Sequence, residues 1–257
     1  MEKLCMRLFI LLITFILFKC FKAQAEQKTL KFRADYWCPY NCKPTDNRKG
    51  FIVDILEKIF VKEGLQINYD TLNWARAILK TRSGEFDAII GAAKNDAPDF
   101  VFPDTPLGNP NNCFYTRTDS TWKYTDINSV KDITLGIIKD YAYFEALDNY
   151  IKNPENQKHL EVNFGDDVQI KLLLKLLHKR MDVFVEDATV IQFIQKQNPQ
   201  FKEIRKAGCV ISEPVYVAFS PQNPSSKKYA KIFDNRFKEL KRTGELQKIF
   251  EHYGINP

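Results

Sequence analysis

A small set of side chains has the types and positions to hold a charged small molecule. Arg76 begins a helix just after a strand, and Lys94 stands at the carboxyl end of a strand. Either could meet an anionic group. Asp187 ends another strand, where it serves either a ligand cation or the amide N-terminus of a helix at 189–196. Tyr36 and Trp37 follow the first strand and Trp74 opens the Arg76 helix; aromatic faces in such places suit stacking or cation–π contact. Bond-breaking chemistry is poorly served. His159, His178 and His252 are scattered, and no Ser sits on a sharp elbow. Glu186 and Asp187 are adjacent in a strand, so they point to opposite faces and do not pair as acid and base. Cys38-x-x-x-Cys42 is not a usual zinc spacing either, and no metal or cofactor is expected.

The elements that must position these residues follow from periodicity. Thr29–Ala34 alternates as a strand, and residues from Gly50 form an amphipathic helix with Ile52, Ile55, Leu56, Ile59 and Phe60 on one face. Strand Leu65–Tyr69, helix Trp74–Arg82 and strand Phe86–Gly91 complete a βαβαβ unit. A second unit follows: strand Ile133–Ile138, helix Tyr141–Ile151, strand Leu160–Phe164, a helix capped by Asp166 and running to Lys179, strand Met181–Val185 and helix Thr189–Lys196. Leu79-Lys80 before Asp87-Ala-Ile-Ile echoes Leu174-Lys175 before Asp182-Val-Phe-Val, at the same spacing. Extended pieces at Asn112–Arg117 and Val210–Phe219 join the units, and two final helices, ending at Arg242 and Tyr253, pack back on the first. The expectation is an α/β chain of two lobes with a hinge of two crossing segments. Loops at the carboxyl ends of their strands face one another over a cleft, where open α/β sheets bind ligands.

Bulk properties agree with an exported binding module. Lys3 and Arg7 precede the apolar run Leu8–Phe18, and Ala23-Gln24-Ala25 has the small-x-small pattern of a cleavage site, so residues 1–25 read as a signal peptide. Their removal leaves 34 basic against 31 acidic residues, and the net charge falls from +6 to +3. No basic run is dense enough for nucleic acid. Cys38, Cys42, Cys113 and Cys209 remain, an even number that permits disulfides in three pairings; a Cys38–Cys42 clip across Pro-Tyr-Asn is geometrically cheap. The expected division is 26–115 plus 214–257 for lobe 1 and 116–213 for lobe 2.

Six segments in order, GFIVDILEKIF, SGEFDAIIGAAK, FPDTPLG, ITLGIIKDYAY, RMDVFVEDATV and RTGELQKIFEHYG, resemble the bacterial solute-binding proteins of ABC importers, in the amino-acid-binding branch (family 3). That resemblance implies a type II Venus-flytrap fold, a periplasmic monomer, and transport of an amino-acid-like ligand to an importer permease by hinge closure. It implies a carboxylate at Asp187 that pairs with a ligand ammonium, and ligand contacts at the turn Gly136–Tyr141, where Asp140 replaces the usual small residue. It also implies an arginine clamp after the first lobe's third strand. Here Lys94-Asn-Asp-Ala-Pro-Asp99 stands instead, which leaves Lys94 and Arg76 as anion partners. Relatives that are enzymes (cyclohexadienyl dehydratases) or ligand sensors supply the alternative readings.

Overall fold

The computed structural model describes residues 28–165 and 167–255. The expected signal peptide and the expected Asp166 cap lie outside them. Two sheets carry the chain. The first has the order β2-β1-β3-β9, from β1 (Thr29–Ala34), β2 (Gln66–Thr71), β3 (Ala88–Ala92) and β9 (Tyr216–Phe219). β1 is parallel to β2 and β3, and β9 runs antiparallel to β3. The second has the order β6-β5-β7-β4-β8, from β4 (Asn111–Arg117), β5 (Leu135–Ile138), β6 (Leu160–Asn163), β7 (Val183–Asp187) and β8 (Ile204–Ile211). β5 is parallel to β6 and β7, while β4 is antiparallel to β7 and β8. The expected division had carried lobe 1 through residue 115. β4 joins the second sheet from Asn111 because its amides are taken up by β7 and β8.

Apolar faces set the layers. Helix α1 (Phe51–Val61) buries Ile52, Ile55, Leu56, Ile59 and Phe60 against Phe32 and Phe219 of the first sheet. Helices α6 (Ser226–Arg242) and α7 (Glu245–Tyr253) return to this lobe, where Phe250 meets Phe51 edge-on at 5.5 Å and the Tyr253 hydroxyl donates to Asp54. Helix α2 (Trp74–Arg82) follows β2. In the second lobe, helices α3 (Glu145–Lys152), α4 (Val168–Leu177) and α5 (Ala188–Gln197) cover the sheet. Trp122 and Tyr124 pack on Phe114 of the crossing strand, Tyr124 stacked at 4.0 Å. Among the described residues no helix is long and apolar enough to cross a membrane.

The internal echo has a structural counterpart. Asp87 accepts from the amide of Lys31 at 2.7 Å, and Asp182 accepts from the amide of Thr134 at 2.9 Å. In both lobes an Asp before a buried strand ties down the start of its parallel neighbour. Helix α3 begins later than expected, at Glu145, because Asp140 adopts a left-handed backbone (φ 63) and Tyr143 turns inward, its hydroxyl accepting from the Ile138 amide. Asp167 takes the N-cap position of α4. Strand β8 starts well before Val210; its alternating half-exposed pattern, with Arg205, Lys206 and Gly208, is that of an edge strand and carries little apolar signal.

Both disulfides form: Cys38–Cys42 within the loop after β1, and Cys113–Cys209 between the neighbouring strands β4 and β8. Gly50 closes the first of these loops. Its φ is +108°, and a Cβ there would lie 2.4 Å from the Tyr40 carbonyl oxygen, so only glycine lets α1 start against the clip.

Candidate functional site

The loops at the strand ends meet between the lobes. β1 delivers Asp35 and Trp37, and the cis Cys38–Pro39 bond and the clip fold Tyr40 under Trp37, stacked at 3.9 Å. β3 ends in a bulge at Ile90/Ala92 where Gly91 takes φ +89°, and a Cβ placed there would lie 3.8 Å from the Trp37 ring. The loop beyond it is held by Asp96, whose carboxyl accepts from the Ala93 amide at 2.8 Å. From the second lobe come Tyr141 and Tyr143 after β5, and Glu186 near the end of β7.

These residues enclose a cleft of about 550 Å³, counting its open mouth. Asp35, Asp96, Glu186 and Glu213 line it, together with Trp37, Trp74, Tyr141 and Tyr143; among the described residues no Lys, Arg or His lines it. Hydrogen bonds cross between the lobes at the cleft. Trp37 Nε1 donates to Glu186 Oε1 at 3.0 Å, and the Tyr141 hydroxyl donates to Asp35 Oδ2. Glu186 is 3% exposed; its Oε1 also accepts from the Asp187 amide at 2.8 Å, but Oε2 has no partner. Among the described residues no three His, Cys, Asp or Glu side chains are grouped as metal ligands are.

Burial without a counter-cation governs the acids. It pushes Asp35 up to about 6, against the opposing hydrogen bond from Tyr141. Asp96 rises to about 7, chiefly through burial, with the charges of Asp148 and Asp35 adding to it. Glu186 rises to about 8, again through burial first, with Asp187 and Asp35 contributing. Tyr141 and Tyr143 are raised well above the usual phenol value by burial, and so stay neutral. For carboxyls raised on folding, the stabilisation is complete below the unfolded values near 4 and is lost as pH climbs through the folded ones. The ligand-free protein is therefore expected to lose thermal stability between about pH 5 and 8. A melting series should show that decline, and Asp35→Asn combined with Glu186→Gln should make it shallower, Asp96 keeping its share. A parent stability that is level or rises over this range would contradict the burial of these groups.

The structure brings Trp37, Trp74 and Tyr141 together at the cleft, Trp74 meeting Tyr141 edge-on at 6.4 Å. Tyr36 faces a neighbouring chamber, with Lys43 Nζ 5.3 Å from its ring centroid. The other expected residues lie elsewhere. Arg76 is exposed and lines neither space, because the buried face of α2 is formed by Trp74, Ala77 and Ile78. Lys94 is exposed and rests over the Tyr216 ring at 5.1 Å. Asp187 is 1% exposed and faces away from the cleft: it caps α5 through the Thr189 and Val190 amides and accepts from the Asn111 amide. Strand alternation explains the exchange. Its neighbour Glu186 takes the cleft face, and a register of one residue separates ligand wall from helix cap. Asp35 and Asp96 were passed over because a lone Asp in a turn carries no sequence signal of burial.

The second chamber opens on the other side of Tyr141, about 870 Å³ including open solvent, and shares Asp35, Trp74 and Tyr141 with the first. Lys43 and Asp167 bridge its lobes at 3.0 Å, and the N-terminus of α4 forms one wall.

The model of the bacterial extracellular solute-binding proteins, family 3, matches residues 31–256. A search of the curated proteins returns no relative. Among solved structures, an ancestral arginine-binding protein bound to arginine superposes with a TM-score of 0.71 at 19% identity, over 88% of this chain and 97% of that one. A histidine kinase sensor domain with similarity to periplasmic binding proteins gives 0.75 at 15% identity, over 90% and 99%. The arginine-, lysine-, histidine-binding protein ArtJ from Geobacillus stearothermophilus gives 0.72 at 18% identity, over 90% and 97%. These are similarities of fold.

Proposed function

The chain belongs to the bacterial extracellular solute-binding proteins of family 3, and from that premise we propose that it captures a small organic cation in the cleft between its lobes. The observation that carries this reading is the set of three buried carboxyls, Asp35, Asp96 and Glu186, in a space walled by Trp37, Trp74, Tyr141 and Tyr143 with no basic side chain. A buried carboxyl lacking a cation keeps its proton to a higher pH than a free one; an ammonium or guanidinium of the ligand would supply the missing charge and lie against aromatic faces. The ligands named for the arginine-binding protein and for ArtJ are cationic, which supports the same class. The family supports capture by a monomer in the periplasm, after signal-peptide cleavage, and delivery to an ABC importer permease, with the ligand released unchanged.

A thermal-shift panel tests the class. A ligand specific for the closed state stabilises by roughly 2.7 kcal/mol at a hundredfold excess over Kd, about 5 °C or more for a chain of this size. Alkylamines, guanidines and basic amino acids are expected to raise the melting temperature, and simple organic acids to leave it unchanged. Stabilisation by acids but not by amines would overturn the reading. Mass spectrometry of the recovered ligand should find it unaltered; a converted product would favour the enzyme alternative.

A further inference from the structure

Resting on the cationic reading of the first chamber, we propose that the second chamber takes a carboxylate at the far end of the same ligand. The ligand would then be an extended zwitterion whose two charges lie on either side of Tyr141.

The two chambers differ in their charge. The first has four acids and no base, whereas the second brings Lys43 and Lys139 together with Asp35 and Asp167. Both acids are already engaged, Asp35 by the Tyr141 hydroxyl and Asp167 by Lys43. Helix α4 presents its N-terminus here, where backbone N–H groups and the helix dipole favour an anion. Its N-cap, Asp167, is left-handed (φ 52), and its side chain makes no capping hydrogen bond.

A second observation is independent of the helix end. Gln169, in the first turn of α4 and part of the chamber wall, is 1% exposed, yet neither its Nε2 nor its Oε1 has a partner among the described residues. An unsatisfied buried carboxamide is costly, and a protein retains one where something else completes it. A carboxylate would accept from Nε2, from the first-turn amides and from Lys139. A second ammonium would find the Gln169 oxygen and two acids already engaged, by Tyr141 and by Lys43, and would meet the positive end of the helix. The chambers share Asp35, Trp74 and Tyr141 as a common wall, and on this proposal the ligand's chain passes beside the Tyr141 ring from one to the other.

Calorimetric titration of the purified protein with ε-aminohexanoate, hexylamine and hexamethylenediamine separates the outcomes. ε-Aminohexanoate is expected to bind about tenfold or more tightly than hexylamine, the gain from charge-assisted hydrogen bonds to one carboxylate. Gln169→Leu and Lys139→Ala should each bring that ratio toward one. Gln169→Leu exchanges an unsatisfied amide for an apolar group, so its melting temperature, measured alongside, should not fall. Equal binding of the amino acid and the monoamine, tighter binding of the diamine, or a ratio untouched by both variants would overturn the second chamber while leaving the cationic reading in place. Binding of none of the three compounds would remove the cationic reading, and this inference with it.

Discussion

Glu186→Gln is expected to weaken an amine ligand by roughly thirtyfold or more while leaving the fold intact. Removing one partner of a buried charge pair costs about 2 kcal/mol or more, and each 1.4 kcal/mol is about tenfold in affinity. Glutamine preserves the scaffold: its carbonyl oxygen can still accept from Trp37 Nε1 and from the Asp187 amide, as Glu186 Oε1 does. What it lacks is the negative charge. Because Glu186 is held up to about 8, a bound ammonium must displace a proton at neutral pH. Affinity in the parent should therefore rise as pH climbs from about 6 to 8, with net proton release, and that rise should be smaller in Glu186→Gln. Calorimetry in two buffers of different ionisation enthalpy measures both effects. Parent-like affinity in the variant, at a pH where the parent releases a proton, would show that Glu186 does not face the cation.

Loss of the Cys113–Cys209 disulfide is expected to cost about 4 kcal/mol of stability, some 10 °C in melting temperature. The bond closes a loop with a sequence separation of 96, and chain-entropy reasoning gives long loops the larger effect. The Cys38–Cys42 clip, with a separation of 4, should contribute roughly half as much. Equilibrium unfolding of the two double alanine variants compares them directly, and a larger loss from the clip would contradict the loop argument. The long-range bond also sits beside the site. Cys113 pairs across the ladder with Glu186 on one side and with Cys209 on the other, so the β7 end that carries Glu186 is braced by a cross-linked pair of strands.

The fold was readable because its signals are local and repeated. The apolar face of α1, the Asp-led strands at 87 and 182, and the return of the last helices each rest on periodicity or turn chemistry. The site was less legible. Trp37, Trp74 and Tyr141 were expected at the cleft and lie there, because large aromatics after strand ends have few other places to go. The charged residues were not resolved in the sequence. Arg76 is one helical position away from the buried face of α2, and Lys94 is turned out where the Asp96 turn begins. Glu186 and Asp187 exchange roles by a single step along β7. A two-residue period states that neighbours diverge; it does not say which neighbour meets the partner lobe. Asp35 and Asp96 become conspicuous only when burial strips them of solvent, a property set by the whole fold.

The chain segments that pass between the sheets are not two independent strings. The Leu107 amide donates to the Val215 carbonyl, Val215 donates back to Gly108, and Ser212 donates to Pro110, so the outgoing and returning segments form a ladder before β4 and β8 continue it to the disulfide. A paired ribbon bends easily across its flat face but resists in-plane shear and slippage of one strand along the other. The lobes accordingly have one soft coordinate, a rotation about the ribbon. Closure by that rotation, on the capture proposed above, would retrace the same arc and return Trp37 to Glu186 and Tyr141 to Asp35 in the same register. Selectivity would then depend on whether a solute fits a single reproducible gap, and a molecule slightly too bulky would stop the rotation instead of being accommodated by a sideways shift.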